Sequence, residues 1–363
     1  FTAQAPEAYA FLDACRAVGL TTVMGGLHAS VLPEEAALHA DHVVAGEGEE
    51  AWPELVADVE AGRARRVYDA RGRVFPLERS PEPRYDLLDP ERYNRLTVQT
   101  TRSCPRRCTF CASGVLLRGP YRKKPLDLVA RDLEAIRRVW HRPFLELADD
   151  NTFVDPAWGI RLARRIGEFG LRWFTETEVT VADHEDLLEA LAASGCRQLL
   201  VGLEALDVRT VAGLEDRAFK RTRVPDYADA VRRIQSHGIS VNGCFVLGAD
   251  DEAPGAVGRI ARFARAAGLA EVQVTVLTPF PGTPLYARLL AQGRILRPGD
   301  WGGATLFDVT FEPAQGTVED LEASLRDAFR LLYAPQVVKA RRRAFHRQVR
   351  QGRRARAGAP RAA

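Results

Sequence analysis

Cysteine is scarce. The chain has six, three of them within eight positions and the others, Cys15, Cys196 and Cys244, scattered in apolar surroundings. That distribution excludes a disulfide framework and marks the scattered three as small core residues. Methionine is scarcer still, with Met24 alone, and the first residue is Phe1, so the chain is expected to be part of a longer protein. No run of about 18 apolar residues offers a membrane span. The opening residues lack the basic and apolar regions of a signal peptide, and the expected location is the cytoplasm. Nor does one charge sign dominate: 51 Lys and Arg stand against 48 Asp and Glu, a net +3. That balance argues against a whole-protein nucleic-acid surface.

What is present is alternation. Within residues 1–62, a helix pattern from Pro6 to Val18 precedes strand, Gly-Gly turn, helix, strand, loop and helix over 20–62, a β/α unit that looks like the later part of a doubly wound domain. Residues 63–95, with Pro76, Pro81, Pro83 and Pro90, read as a linker. From 96 to 287 six strand patterns begin at Leu96, Phe144, Trp173, Gln198, Ser240 and Glu271, separated by helix-length amphipathic segments. Parallel strands need such crossovers. The expected fold is α/β, a partial (βα)6 TIM-like barrel with its site at the C-terminal ends of the strands. Residues 288–340 form a mainly helical extension, with a helix over 318–332. Residues 341–363, rich in Arg, Gly and Ala without apolar periodicity, are expected to be a disordered, solvated basic tail.

The first barrel strand runs into Cys104-Pro105-Arg106-Arg107-Cys108-Thr109-Phe110-Cys111. Three thiolates at CxxxCxxC spacing can hold a four-iron cluster and leave one iron open. A structural zinc site closes with four ligands, and no fourth Cys or paired His follows nearby.

This loop, after the first strand of a six-unit series, resembles the radical S-adenosylmethionine (SAM) superfamily over roughly residues 96–280. The resemblance implies that Cys104, Cys108 and Cys111 ligate a [4Fe-4S] cluster, and that Phe110 lies against the adenine of SAM. Reductive cleavage of SAM would give a 5′-deoxyadenosyl radical for hydrogen abstraction, methylation or cyclisation of a small molecule. It also implies an electron donor. The segment Ala148-Asp149-Asp150-Asn151 stands where the superfamily places a Gly-Gly-Glu-like segment, making Asp149 and Asp150 candidates for the SAM amino group. The alternative is helix capping before Pro156. Gly202-Leu203-Glu204-Ala205 resembles a Gly-x-Glu-Ser segment, so Glu204 is a second SAM contact, with a plain ion pair as its alternative. Glu176 is a weaker candidate of the same kind. Gly248 matches the glycine that approaches the adenine.

Pro279-Phe280-Pro281-Gly282-Thr283-Pro284-Leu285-Tyr286 looks like the closing segment of the branch containing the anaerobic magnesium-protoporphyrin cyclase and the hopanoid methylases. Val23 to Ala29 and Val43 to Glu49 resemble the end of that branch's cobalamin-binding domain, with Gly25 and Gly26 admitting the cofactor's nucleotide tail. Cobalamin is therefore a third expected cofactor, although the Asp-x-His-x-x-Gly signature does not occur in this sequence. His28 is read as structural. The family-level expectation for the substrate is a small hydrophobic molecule. The rival from another class is a non-catalytic zinc or iron–sulfur protein.

Overall fold

The computed structural model describes residues 1–116, 119–216 and 219–358, and it divides into two units. The first comprises residues 1–80, 103–121 and 276–322; the second comprises residues 81–102, 122–275 and 323–363.

In the first unit, β1 (Val23–Met24), β2 (His42–Gly46) and β3 (Val67–Ala70) form a parallel sheet in that order, with α1 (Ala5–Ala17), α2 (Leu27–Val31), α3 (Pro33–His39) and α4 (Gly48–Glu60) around it. Successive residues of β2 face opposite sides of the sheet. Val43 joins a core with Ala5, Tyr9, Ala29 and Ala36, while Val44 joins Ala51, Leu55, Tyr68 and Ala70. Burial on both faces is what a doubly wound sheet requires. Gly46 closes β2 at φ +100°, where a Cβ would stand 2.6 Å from the Ala70 carbonyl carbon, so only glycine fits.

β3 corrects the reading of 63–95 as linker throughout. The Arg- and Pro-rich composition hides a short alternation in which Tyr68 and Ala70 are buried and Asp69 is exposed. The Tyr68 hydroxyl donates to Asp58 at 3.0 Å.

In the second unit, β4 (Leu96–Val98) opens a six-stranded sheet completed by β7 (Phe144–Leu147), β8 (Arg172–Thr177), β9 (Cys196–Glu204), β10 (Ser240–Leu247) and β11 (Glu271–Val276). Its order is β11-β10-β9-β8-β7-β4, with β4 to β10 paired in parallel. The sheet is open, as a partial barrel should be. The crossovers are α6 (Leu126–Val139), α7 (Pro156–Gly167), α8 (Glu185–Ala193), α9 (Val208–Leu214), α10 (Tyr227–Ser236) and α11 (Ala256–Ala267). Asp155 caps α7 by accepting from the Trp158 amide at 3.0 Å, and Asp207 caps α9 through the Thr210 amide at 2.8 Å.

The first strand is shorter than expected. It breaks after Val98, and β5 (Thr101–Arg102) pairs antiparallel with β6 (Arg122–Lys123) instead. The cysteine loop, with its short helix α5 (Ser113–Leu116), hangs between these two strands.

The basic tail is the largest correction. After α12 (Pro284–Ala291) and α13 (Val318–Tyr333), residues 335–358 form one helix, α14 (Pro335–Gly358). Its arginine-rich composition hides a half-buried stripe of Val337, Val338, Ala344, Phe345 and Val349, and polar contacts add to that packing. Gln348 accepts from Gln235 and donates to the Ala267 carbonyl at 2.8 Å, Arg356 donates to the Ser236 carbonyl at 2.8 Å, and Arg341 is buried against the Leu332 carbonyl. Gly352 permits the approach, since a Cβ there would lie 2.3 Å from the Ser236 oxygen. Residues 359–363 lie outside the described residues. Among the described residues no helix is long and apolar enough to cross a membrane.

Candidate functional site

Cys104, Cys108 and Cys111 are all half-buried on one loop of the first unit, and the Cys111 amide donates to the Cys108 carbonyl at 3.3 Å to close the turn that carries Phe110. Ser103, just before them, adopts φ +76°, a conformation that costs a non-glycine residue energy. The buried hydroxyls of Thr101 and Ser103 have no hydrogen-bond partner among the described residues. Orphaned groups of this kind are rare and mark places where a bound polar group completes the shell. Among the described residues no three Cys, His, Asp or Glu side chains converge as one metal ion demands. A four-iron cluster makes no such demand, because each thiolate meets its own iron. The residues fit a cluster.

Of the scattered cysteines only Cys196 is fully buried; Cys15 and Cys244 are half-buried. Burial pushes the Cys244 thiol up to about 12, which makes it a poor thiolate ligand.

Asp149 lies two residues beyond the end of β7, and its carboxylate is wholly engaged inside the second unit. It accepts from the Thr100 amide at 2.7 Å, the Thr101 amide at 2.8 Å, the Thr100 hydroxyl, and the Thr152 hydroxyl at 3.2 Å. Four acceptances exhaust a carboxylate. Burial outweighs these bonds and raises its pKa to about 6. The capping alternative is excluded for this residue, since Asp155 caps α7. Asp149 instead fixes the backbone that enters the cysteine loop, while Asp150 remains half-buried beside it.

Glu204 ends β9 at φ +62° and pairs with Lys220, their side chains 9% and 13% exposed. A Cβ on Gly202 would lie 2.6 Å from the Glu204 oxygen and 3.2 Å from the Lys220 nitrogen, so glycine makes room for the pair. Replacing Lys220 with Met should strand a largely buried carboxylate and cost about 3 kcal/mol. A denaturant titration measures this, and adding Glu204→Gln should recover most of the loss.

Glu176, at the end of β8, is open to solvent. Partial removal of water by the surrounding protein, followed by repulsion from Glu146, Asp150 and Asp149, pushes its carboxyl up to about 7.

Gly248 follows β10 at φ +93° and donates its amide to Glu252 at 2.6 Å. Between the ends of β9 and β10, residues including Glu204, Asp207, Val246, Glu252 and Arg259 line an open cleft of about 240 Å³, its mouth included. Asp149, Asp150, Glu204 and Gly248 thus stand at the C-terminal ends of strands of one sheet. Gly25 and Gly26 belong to the first unit, where they turn the chain from β1 into α2; Gly26 has φ +91° and open space where a Cβ would be.

Sequence reading missed Lys220 and Glu252. Lys220 lies 16 residues from its partner, a separation that no motif signals, and Glu252 was hidden behind Asp250 and Asp251. His28 is structural as expected: buried in α2, it meets the Tyr9 hydroxyl at 3.0 Å.

Residues 98–264 match the family model described as the Radical SAM superfamily. The chain is 26% identical over 318 residues to the bacteriochlorophyllide d C-12(1)-methyltransferase of Chlorobaculum tepidum, covering 86% of this chain and 68% of that protein. It is 24% identical over 301 residues to the anaerobic magnesium-protoporphyrin IX monomethyl ester cyclase of Rubrivivax gelatinosus, covering 74% of this chain and 53% of the cyclase. Among solved structures, the radical SAM methyltransferase TsrM of Kitasatospora setae, with cobalamin and a [4Fe-4S] cluster bound, matches with a TM-score of 0.72 at 17% identity, over 98% of this chain and 86% of that one. At that identity the match shows a shared fold. The chain spans about two thirds of the methyltransferase and about half of the cyclase. Residues 98–264 form a radical SAM domain, an enzyme domain whose cofactors are a [4Fe-4S] cluster and S-adenosylmethionine.

Proposed function

We propose that the chain carries the catalytic part of a cobalamin-using radical SAM enzyme that methylates or cyclises a small hydrophobic molecule. The observation that carries this reading is the cysteine loop, three half-buried thiols strung between the β5–β6 ribbon ends, with Asp149 fixing the entry. Cys104, Cys108 and Cys111 hold the cluster, and Phe110 packs on the adenine. Asp150 takes the SAM amino group, because Asp149 has no lone pair left for it. Glu204, oriented by Lys220, accepts from SAM. Gly248 lets the backbone approach the nucleoside. When bound, the cluster would supply the electron that cleaves SAM to methionine and a 5′-deoxyadenosyl radical, and the protein's own work is positioning and shielding.

Gly25 and Gly26 admit the cobalamin tail in this reading, which is supported by the open space beside a Gly26 Cβ and by TsrM, which shares the fold and was solved with cobalamin. An external reductant and a cytoplasmic setting accompany this chemistry. Anaerobic reconstitution with iron and sulfide, followed by dithionite and SAM, should give a [4Fe-4S] absorption band and 5′-deoxyadenosine, and titrated hydroxocobalamin should bind. Stoichiometric zinc without SAM cleavage would overturn the reading.

A further inference from the structure

We infer that the outer face of α14 is a docking strip for an anionic phospholipid surface. Lys339, Arg343, Arg347, Arg350 and Arg354 are all exposed. Their spacing of four, four, three and four residues places them on one side of the helix. Arg341, Gln348, Gly352 and Arg356 lie on the opposite side, which packs against the second unit. At 1.5 Å per residue the strip runs about 22 Å.

None of the five cations has a carboxylate partner among the described residues, and the sequence contains no Asp or Glu after Asp327. Like charges four residues apart, as in Arg343 with Arg347 and Arg350 with Arg354, oppose the helix they sit on. A negatively charged plane removes that repulsion along the whole strip at once. Two exposed side chains on one face of the last turns of the preceding helix α13, Phe329 at 43% and Tyr333 at 38%, stack with ring centroids 5.1 Å apart. Apolar anchors beside a cationic helix face are the composition of interfacial membrane elements. This inference goes beyond the proposed function and does not depend on it.

Sedimentation of the full chain with phosphatidylglycerol-containing vesicles tests it, with pure phosphatidylcholine vesicles and a single-stranded RNA as the competing surfaces. Binding should require the anionic lipid and weaken with salt. Neutralising Arg343, Arg347 and Arg350 together to Gln should weaken it about a hundredfold, since each cation near an anionic leaflet is worth about fivefold. A control of equal net charge, Arg137→Gln, Arg161→Gln and Arg197→Gln, also at exposed positions, should bind as the parent does. Unchanged thermal unfolding midpoints show that both variants fold. Equal binding to neutral vesicles, equal loss in both triple variants, RNA binding without vesicle binding, or no binding at all would each overturn the inference.

Discussion

Cys108→Ala should leave a folded chain that no longer assembles a [4Fe-4S] cluster on reconstitution and no longer cleaves SAM. The fall should exceed about a hundredfold, since changes to residues that merely support metal ligands already cost 10–100-fold. Iron content, the charge-transfer absorption and 5′-deoxyadenosine formation read the effect together. Cys15→Ala is the matched control: Cys15 is half-buried in α1, far in sequence from the loop, and its loss should change none of the three readouts. If Cys15→Ala and Cys108→Ala lose iron alike, the assignment of the loop fails.

The second large effect is expected at Asp149. Asp149→Ala removes the acceptor of two backbone amides and two hydroxyls, and unpaired buried donors cost about 1–3 kcal/mol each. A loss of about 3–5 kcal/mol should follow, along with reduced iron retention, because Thr100 and Thr101 lead directly into the cysteine loop. Asp149→Asn keeps one acceptor oxygen for the amides and should lose less.

The two variants also separate packing from charge. The folded carboxyl has a pKa of about 6, against about 3.9 when unfolded. The folded state therefore holds the proton more tightly. The contribution of this carboxyl to stability should be fully present below about pH 4, fall by roughly 3 kcal/mol as pH rises through 6, and be flat above. Asp149→Asn should remove that segment of the pH profile, measured as the difference from the parent in urea titrations across pH 4 to 7. An unchanged profile would mean that the buried carboxylate is not the source.

Much of this was legible in the chain itself. Helix periodicity and apolar runs give the six-strand alternation to within a few residues because each crossover buries one stripe and each strand two faces. Cysteine spacing marked the candidate cluster loop because the chemistry demands those residues close together. The failures share a cause. In both β3 and α14 an arginine-rich composition hides a short apolar pattern, four residues paired with β2 in one and the half-buried Val337, Val338, Ala344, Phe345 and Val349 in the other, and bonds to distant residues such as Gln348 to Gln235 leave no periodic trace. Lys220 and Glu204 likewise meet only through the fold.

The sequence by itself determined the class of architecture, the cluster loop and the glycines at left-handed turns, since local periodicity, ligand spacing and backbone conformation are local physics. Only the tertiary structure decided that Asp149 supports the loop, that Glu204 has a cationic partner, and that an arginine-rich end is an ordered helix with one cationic face. Those outcomes depend on which distant groups burial brings within hydrogen-bonding range.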